Sequence, residues 1–409
     1  MSAANANLTK FPECVDHWLS EDGPAAIVLR EFLIPVEGKD APVFPPTFAA
    51  SQNADDEEET KGAYNINRLP GEGNRSVCLI DSVGSQANRL EPLFREGEYK
   101  GLVPQIEIKI NDKRKINLLD AGHRAADAVV RFSTLQPKLQ EAFRAIVEDG
   151  DAEALAKIAP TSVLFGVWDS RGTQAKLPRL LSSVVRAFDV DELTRSATYR
   201  SAIDYVAEGV VDEELDAGQG KKNPLSRAGM KYALATGTPG GILVRTCIRR
   251  DATLSLAGIR CLMAGNPART KALQRYVLGL GLCALTAPPQ YELRQGCHLV
   301  RDPDAKINPS CRVVEHTGVP HDVTLDRKAA LSFATNAAND FVVGSSEPAD
   351  FDPEHADLWL KLKKEEQKAL TRAGSVSKAA IKDFLKKKKT KKGGKANAGS
   401  DGSETGDAR

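Results

Sequence analysis

The chain is poor in the patterns that announce most chemistries. It holds six His and three each of Met and Trp in 409 residues. No C-x-x-C pair occurs. The seven cysteines, Cys14, Cys78, Cys247, Cys261, Cys283, Cys297 and Cys311, are odd in number, scattered and mostly set among apolar residues. That excludes a disulfide framework and reads as reduced thiols in a cytoplasmic protein. A membrane span is also missing, because the longest apolar stretch, around Val277–Ala287, is too short. Met1–Pro12 has no charged segment followed by an apolar one, so it does not read as a signal peptide. Gly218-Gln219-Gly220-Lys221 lacks the spacing and the Ser/Thr of a phosphate loop, and no G-x-S-x-G elbow appears. Gly279-Leu280-Gly281 lies in an apolar helix pattern, where the glycines permit close packing.

Metal ligands are sparse too. Cys297-His298, Cys311, His316 and His321 fall in one span, but the cysteines are too far apart for a zinc knuckle. We expect no metal and no cofactor. His123 stands four residues ahead of Asp127, a spacing that is commonly structural, and no nucleophile converges on it.

The charge total is uninformative until it is divided. Lys+Arg number 56 against 55 Asp+Glu, a net charge of +1. Residues 376–395 carry nine Lys and one Asp, and residues 396–409 have a net charge of −2, which leaves −5 for residues 1–375. Asp55–Glu59 is five consecutive acids, and residues 201–220 hold six acids and no base. Residues 221–250 then hold Lys221, Lys222, Arg227, Lys231, Arg245, Arg249 and Arg250 with no acid. Such a basic block is where a polyanion would be held, the alternative being a solvated loop.

Periodicity gives an α+β or α/β alternation. Ala25–Val36, Val103–Ile110, Ser162–Trp168, Leu180–Val190, Tyr291–Val300 and Cys311–His316 read as strands. Gly241–Leu256 reads as a strand or hairpin. Ser82–Phe94, Asn117–Phe132, Pro137–Val147, Asp151–Ala159, Arg269–Leu285, Asp357–Arg372 and Ser377–Lys389 read as helices. Glu37–Arg75 and Glu192–Thr238 are long excursions, and Gly393–Arg409 is of low complexity.

Polar clusters in apolar settings are the strongest functional signal. Ser85, Gln86, Asn88 and Arg89 stand near a helix start, where backbone N–H groups favour phosphate. Trp168 ends a strand, followed by Ser170, Arg171 and Lys176 on a turn. An aromatic beside cations suits single-stranded nucleic acid, with the ring stacking on a base and the cations tracking phosphates. An ordinary core aromatic is the alternative for Trp168. Arg294 and Gln295 add a polar pair in strand context.

Together Asp81–Glu91 (DSVGSQANRLE), Gly122–Arg131 (GHRAADAVVR), Pro160–Gly172 (PTSVLFGVWDSRG), Ala175–Ala197 (AKLPRLLSSVVRAFDVDELTRSA) and Leu293–Val300 (LRQGCHLV) resemble one family. It is the RAMP-type, Cas-seven-type backbone subunit of type I-G (formerly I-U) CRISPR Cascade complexes. The likeness covers roughly residues 25–320 in order. It implies an α+β fold with a modified RRM/ferredoxin-like palm and long finger and thumb insertions. The organisation expected from it is an N-terminal segment (1–24) and a RAMP-like domain (25–375) with insertions near 37–75 and 192–238. A Lys-rich tail (376–409), expected to be disordered, follows.

The resemblance implies a non-catalytic cytoplasmic subunit that stacks with copies of itself in a helical filament along a CRISPR RNA. Its partners would be that guide RNA, the target DNA strand paired to it, other Cascade subunits and a separate helicase-nuclease, with no membrane. On this reading Ser85, Gln86, Asn88 and Arg89 meet guide phosphates, with Arg124 supporting them. Trp168, Arg171, Lys176, Arg179 and Arg294 line the groove, and Lys221, Lys222, Arg227 and Lys231 hold RNA from the thumb. Met230 is a candidate base wedge or a core gap-filler. Two alternatives remain open. One is a target-RNA-cleaving subunit of the type III kind using Asp204, Asp212 or Asp216. The other is a stand-alone metal-dependent enzyme near His316.

Overall fold

Two-residue alternation carries through the first strand and decides where the core lies. The computed structural model describes residues 10–48, 63–71, 75–218, 223–374 and 376–396, with side chains except at 233, 235, 236 and 389–396. Strand β1 (Ala26–Pro35) buries Ile27, Leu29, Glu31 and Leu33 and turns Val28, Arg30, Phe32 and Ile34 to the opposite, more open face. It is the centre of a nine-stranded sheet, whose strands alone we number. The others are β2 (Ile66–Arg68), β3 (Ser76–Asp81), β4 (Leu181–Tyr199), β5 (Ala233–Ser255), β6 (Glu292–Arg294), β7 (Cys297–Arg301), β8 (Ser310–Val314) and β9 (Pro320–Asp322). The order is β6-β7-β1-β5-β4-β3-β2. β8 pairs with the first half of β1 on the edge whose second half takes β7, and β9 pairs with β8. Every pairing in this sheet is antiparallel. With β7 and β8 counted as one edge, the central order is last-first-third-second, that of a ferredoxin-like β-α-β-β-α-β unit. The fold is α+β.

Helices cover one face. In the first crossover are α1 (Val83–Leu90) and α2 (Gln136–Asp149); in the second is α3 (Pro267–Thr286), followed by α4 (Arg327–Phe341). Leu273, Val277, Leu280 and Leu282 of α3 are buried, each apolar side chain contributing about 1.5–3 kcal/mol. The close packing expected of Gly279 and Gly281 is present. A Cβ on Gly279 would lie 2.8 Å from Ala334 Cα of α4, and one on Gly281 would lie 2.7 Å from Leu254 of β5. Beyond them α5 (Pro353–Leu360), α6 (Lys364–Arg372) and α7 (Lys378–Ala396) enclose a small cluster of Trp359, Leu362, Leu370, Val376 and Ile381.

The β4–β5 hairpin outruns the sheet. β3 pairs with β4 only from Val185 to Phe188, and β1 pairs with β5 only from Ile248 to Ser255. Past Val190 the two strands continue as a ribbon to Tyr199 and Ala233, about 30 Å at strand rise. Register shifts interrupt it between Phe188 and Val190, Leu193 and Thr194, and Arg195 and Ala197. Each shift leaves the extra residue on the returning strand β5.

Several sequence expectations need correction. Ser162–Trp168 is not a strand. Pro160 opens a helical turn to Leu164, Gly166 adopts φ 80°, and only Val167–Trp168 pairs, with Lys176–Leu177. All of Thr161–Val167 is buried, so no periodicity could distinguish helix from strand. Asn117–Phe132 is not one helix. The Asn117 and Asp127 side chains cap separate short turns, and Arg124 sits at φ 55°. The excursion Glu192–Thr238 leaves and returns as paired ribbon, Glu192–Tyr199 outgoing and Ala233–Thr238 returning, around a longer tip at 200–232. The N-terminal segment supplies fully buried Trp18 to the main core. The Lys-rich tail is helical over Lys378–Ala396, with Val376 and Ile381 buried, not disordered from 376. Helix α4 falls in a stretch that sequence reading left unassigned. The acid run Asp55–Glu59, Lys221, Lys222 and residues 397–409 lie outside the described residues. No helix among the described residues is long and apolar enough to cross a membrane.

Candidate nucleic-acid interface

β3 ends in a carboxylate, and α1 starts one residue later. Ser82 caps α1, its Oγ accepting from the Ser85 amide at 3.2 Å. Asp81, fully buried, accepts from Ser85 Oγ (2.8 Å), Gln86 Nε2 (2.7 Å), Arg89 Nε (3.2 Å) and Arg294 Nη2 (3.1 Å). Arg89 also donates to the Leu293 carbonyl at 2.7 Å, tying α1 to β6. Four residues singled out from the sequence therefore converge on one carboxylate. The fifth, Asn88, is exposed, with Oδ1 3.4 Å from Arg124 Nη2.

From Gln86 the network crosses the sheet. Gln86 Oε1 accepts from Ser183 Oγ at 2.8 Å, and Ser183 Oγ accepts from Arg250 Nε at 2.9 Å. Arg250 Nη1 donates to Glu31 Oε2 at 2.7 Å, and Arg301 donates twice to Glu31 Oε1, at 2.9 and 2.6 Å. The Tyr291 hydroxyl donates to Glu31 as well. Burial pushes the Glu31 carboxyl up, but Arg250, Tyr291 and Arg301 outweigh it and hold the group below its ordinary value. Burial pushes the Tyr291 hydroxyl up. Sequence reading missed Glu31, Ser183, Arg250, Tyr291 and Arg301 as network members. The signal was present: Glu31 sits at the buried phase of β1, and adjacent Arg249 and Arg250 on a strand must face opposite sides.

Arg124 is a second interior cation. It is buried, with Nε 2.8 Å from Glu91 Oε2 and its guanidinium 5.6 Å from the Phe165 ring centroid. Burial pushes Glu91 up to about 7, against the pull of Arg124 and the Thr161 hydroxyl. Arg124 thus joins α1 to the segment before Trp168 and is a positioning residue.

The short hairpin at Trp168 differs. Trp168 is 57% exposed, with Lys176 Nζ 5.5 Å from its ring centroid. Arg171 and Arg179 are exposed, and among the described residues no carboxylate lies within ion-pair distance of Arg171, Lys176 or Arg179. The turn is held by Asp169, which accepts from the Thr173 amide (2.6 Å) and hydroxyl (3.0 Å). A Cβ on Gly84, in the first turn of α1, would lie 4.0 Å from Arg179 Nη2. Arg179 therefore stands beside the N-terminus of α1. A stacking ring, exposed cations and helix amides are adjacent here, suited to an extended polyanion with bases.

At the ribbon tip Asn223 caps a turn at Pro224–Arg227 and, with Lys231, bonds Asp216. Those contacts hold Asp216 below the usual carboxylate range, Lys231 contributing most. Arg227 is exposed; Met230 is half-buried, its amide donating to the Leu225 carbonyl at 2.8 Å. The basic block of residues 221–250 is not one surface: Arg245 pairs with Asp191, Arg249 stacks on Phe188 and pairs with Asp251, and Arg250 is interior. Among the described residues no cluster of His, Cys, Asp and Glu could hold a metal ion.

Residues 27–192, less than half of the chain, match the family model described as CRISPR-associated protein GSU0053 (Cas_GSU0053). The match starts in β1, spans the first crossover and stops where β4 leaves the sheet. It associates the chain with CRISPR-associated proteins. No curated protein matches the chain.

Proposed function

We propose that the chain binds a CRISPR guide RNA as the repeated backbone subunit of a type I-G Cascade complex, and binds without cutting. The observation that carries this reading is the exposed Trp168–Lys176 hairpin beside Arg179 and the start of α1, inside the segment that matches the CRISPR-associated family. Backbone-directed contacts of this kind suit a guide whose sequence varies. The ribbon is the candidate thumb, with Arg227 toward RNA. Further copies, other Cascade subunits, the target DNA strand and a helicase-nuclease are the partners this reading requires.

Co-purification tests it. A small RNA of uniform length is expected in the purified protein, with this chain in excess over any other subunit. Purified protein without RNA, and with no affinity for a guide transcript, would overturn it. Incubation with complementary RNA and a divalent metal is expected to give no regularly spaced cleavage.

A further inference from the structure

Between α1 and the end of α3, above the sheet, lies a cavity of about 650 Å³. Its inner wall includes Gln86 and Arg250, both buried, and Arg89 lines one side. The network behind it carries more guanidiniums than carboxylates. Two buried carboxylates, Asp81 and Glu31, face buried Arg250, half-buried Arg294 and, at the solvent margin, Arg89 and Arg301. Arg250 Nη2 is buried and has no hydrogen-bond partner among the described residues. A buried guanidinium N–H without an acceptor is uncommon in native proteins. The acids that line the cavity do not correct the imbalance, since Glu98 pairs with Arg327 and Glu96 with Arg95. Leu90, Leu93, Tyr99, Pro288 and Pro289 give the rest of the lining an apolar character. Guanidiniums and apolar side chains lining one cavity suit a ligand with an anionic group on a planar ring.

We propose that this cavity binds a nucleoside phosphate, with the phosphate toward Arg89 and Arg250 and the base against Tyr99 and the prolines. The site is separate from the Trp168 hairpin and does not rest on guide binding there. Its ligand comes either from solution, as a mononucleotide, or from the phosphorylated end of a strand.

The full chain, freed of nucleic acid in high salt, is titrated with UMP, uridine, and a tetranucleotide with and without a 5′-phosphate. UMP is expected to bind about tenfold or more tighter than uridine, and inorganic phosphate to compete. Arg89→Met should weaken UMP about tenfold or more, and Ala287→Trp, which fills the cavity from its rim, should abolish binding while the thermal transition persists. A phosphorylated tetranucleotide that binds tighter than UMP identifies a strand end; one that binds no tighter identifies a free nucleotide. Equal affinity for UMP and uridine, no binding of either, or UMP binding that survives Ala287→Trp would each overturn the proposal. Arg250→Met alone would not serve, because loss of the Glu31 contact could unfold the chain.

Discussion

Two sets of cations on this molecule have opposite surroundings. Arg89, Arg250, Arg294 and Arg301 are bonded to the buried carboxylates Asp81 and Glu31, with Arg250 itself buried and Arg89 and Arg301 open to solvent on their outer side. Arg171, Lys176 and Arg179 stand in solvent with no carboxylate in reach among the described residues. Sequence treats the two sets alike. The structure separates them, because the first set is tied to carboxylates of the fold, its surplus charge meeting only what enters the cavity, whereas the second has no carboxylate partner and is open to an extended polyanion.

The sharpest way to break this comparison is in the interior. Glu31→Ala leaves the Arg250 guanidinium buried without its counter-charge. It should cost about 3–5 kcal/mol of unfolding free energy, read from urea denaturation. A loss below about 1 kcal/mol would mean that the interior pairs do not stabilise the sheet.

On the hairpin, Lys176→Ala with Arg179→Ala should weaken single-stranded RNA binding by about 10–100-fold near physiological salt. It should also make the salt dependence shallower by roughly 1 to 1.5 units of slope. The thermal transition should not move. Trp168→Ala sharpens the same point from the other side. A lost base stack is worth about 1–3 kcal/mol of RNA affinity, and the salt slope should stay as it is. If Trp168→Ala flattens the slope instead, the ring acts by holding Lys176 and not by stacking.

A last comparison separates the two buried carboxylates. Burial lifts Glu91 from 4.5 to about 7. Its contribution is therefore fully present below pH 4.5 and is lost as the pH rises through about 7. Glu31 is shifted down, so its contribution holds above 4.5 and is lost as the pH falls through its folded value. Glu91→Gln should remove the decline between these limits, and Glu31→Gln should soften the acid limb. Thermal melts from pH 3 to 8 give both, and identical profiles for wild type and Glu91→Gln would refute the first.

The legible parts share a physical cause. β1, the sheet-bound half of β4, and α3 each combine a strong period with a clear boundary, and each was found close to its place. The segment from Asn117 to Phe132 was misread because its apolar residues keep helical spacing while Asn117 and Asp127 divert the backbone into separate caps. Val163–Val167 was misread because burial on every side erases the period. At the site, the residues near α1 and on the Trp168 hairpin were visible as polar groups in apolar settings. Which of them are spent on Asp81 was not visible, since Arg294 lies 213 positions away from it.

The ribbon has one more property. Between Phe188 and Tyr199 the outgoing strand takes 11 steps, while its partner takes 14 from Cys247 to Ala233. Two strands of unequal contour length that stay paired cannot remain straight; the longer one takes the outside of a curve. The arm should therefore arc toward the β4 side, in a direction written by three surplus residues and not by any contact at its tip. Deleting one of them, Gly240 for instance, would straighten the arc in part while the pairs on either side, Leu193 with Gly241 and Thr194 with Pro239, stay in register.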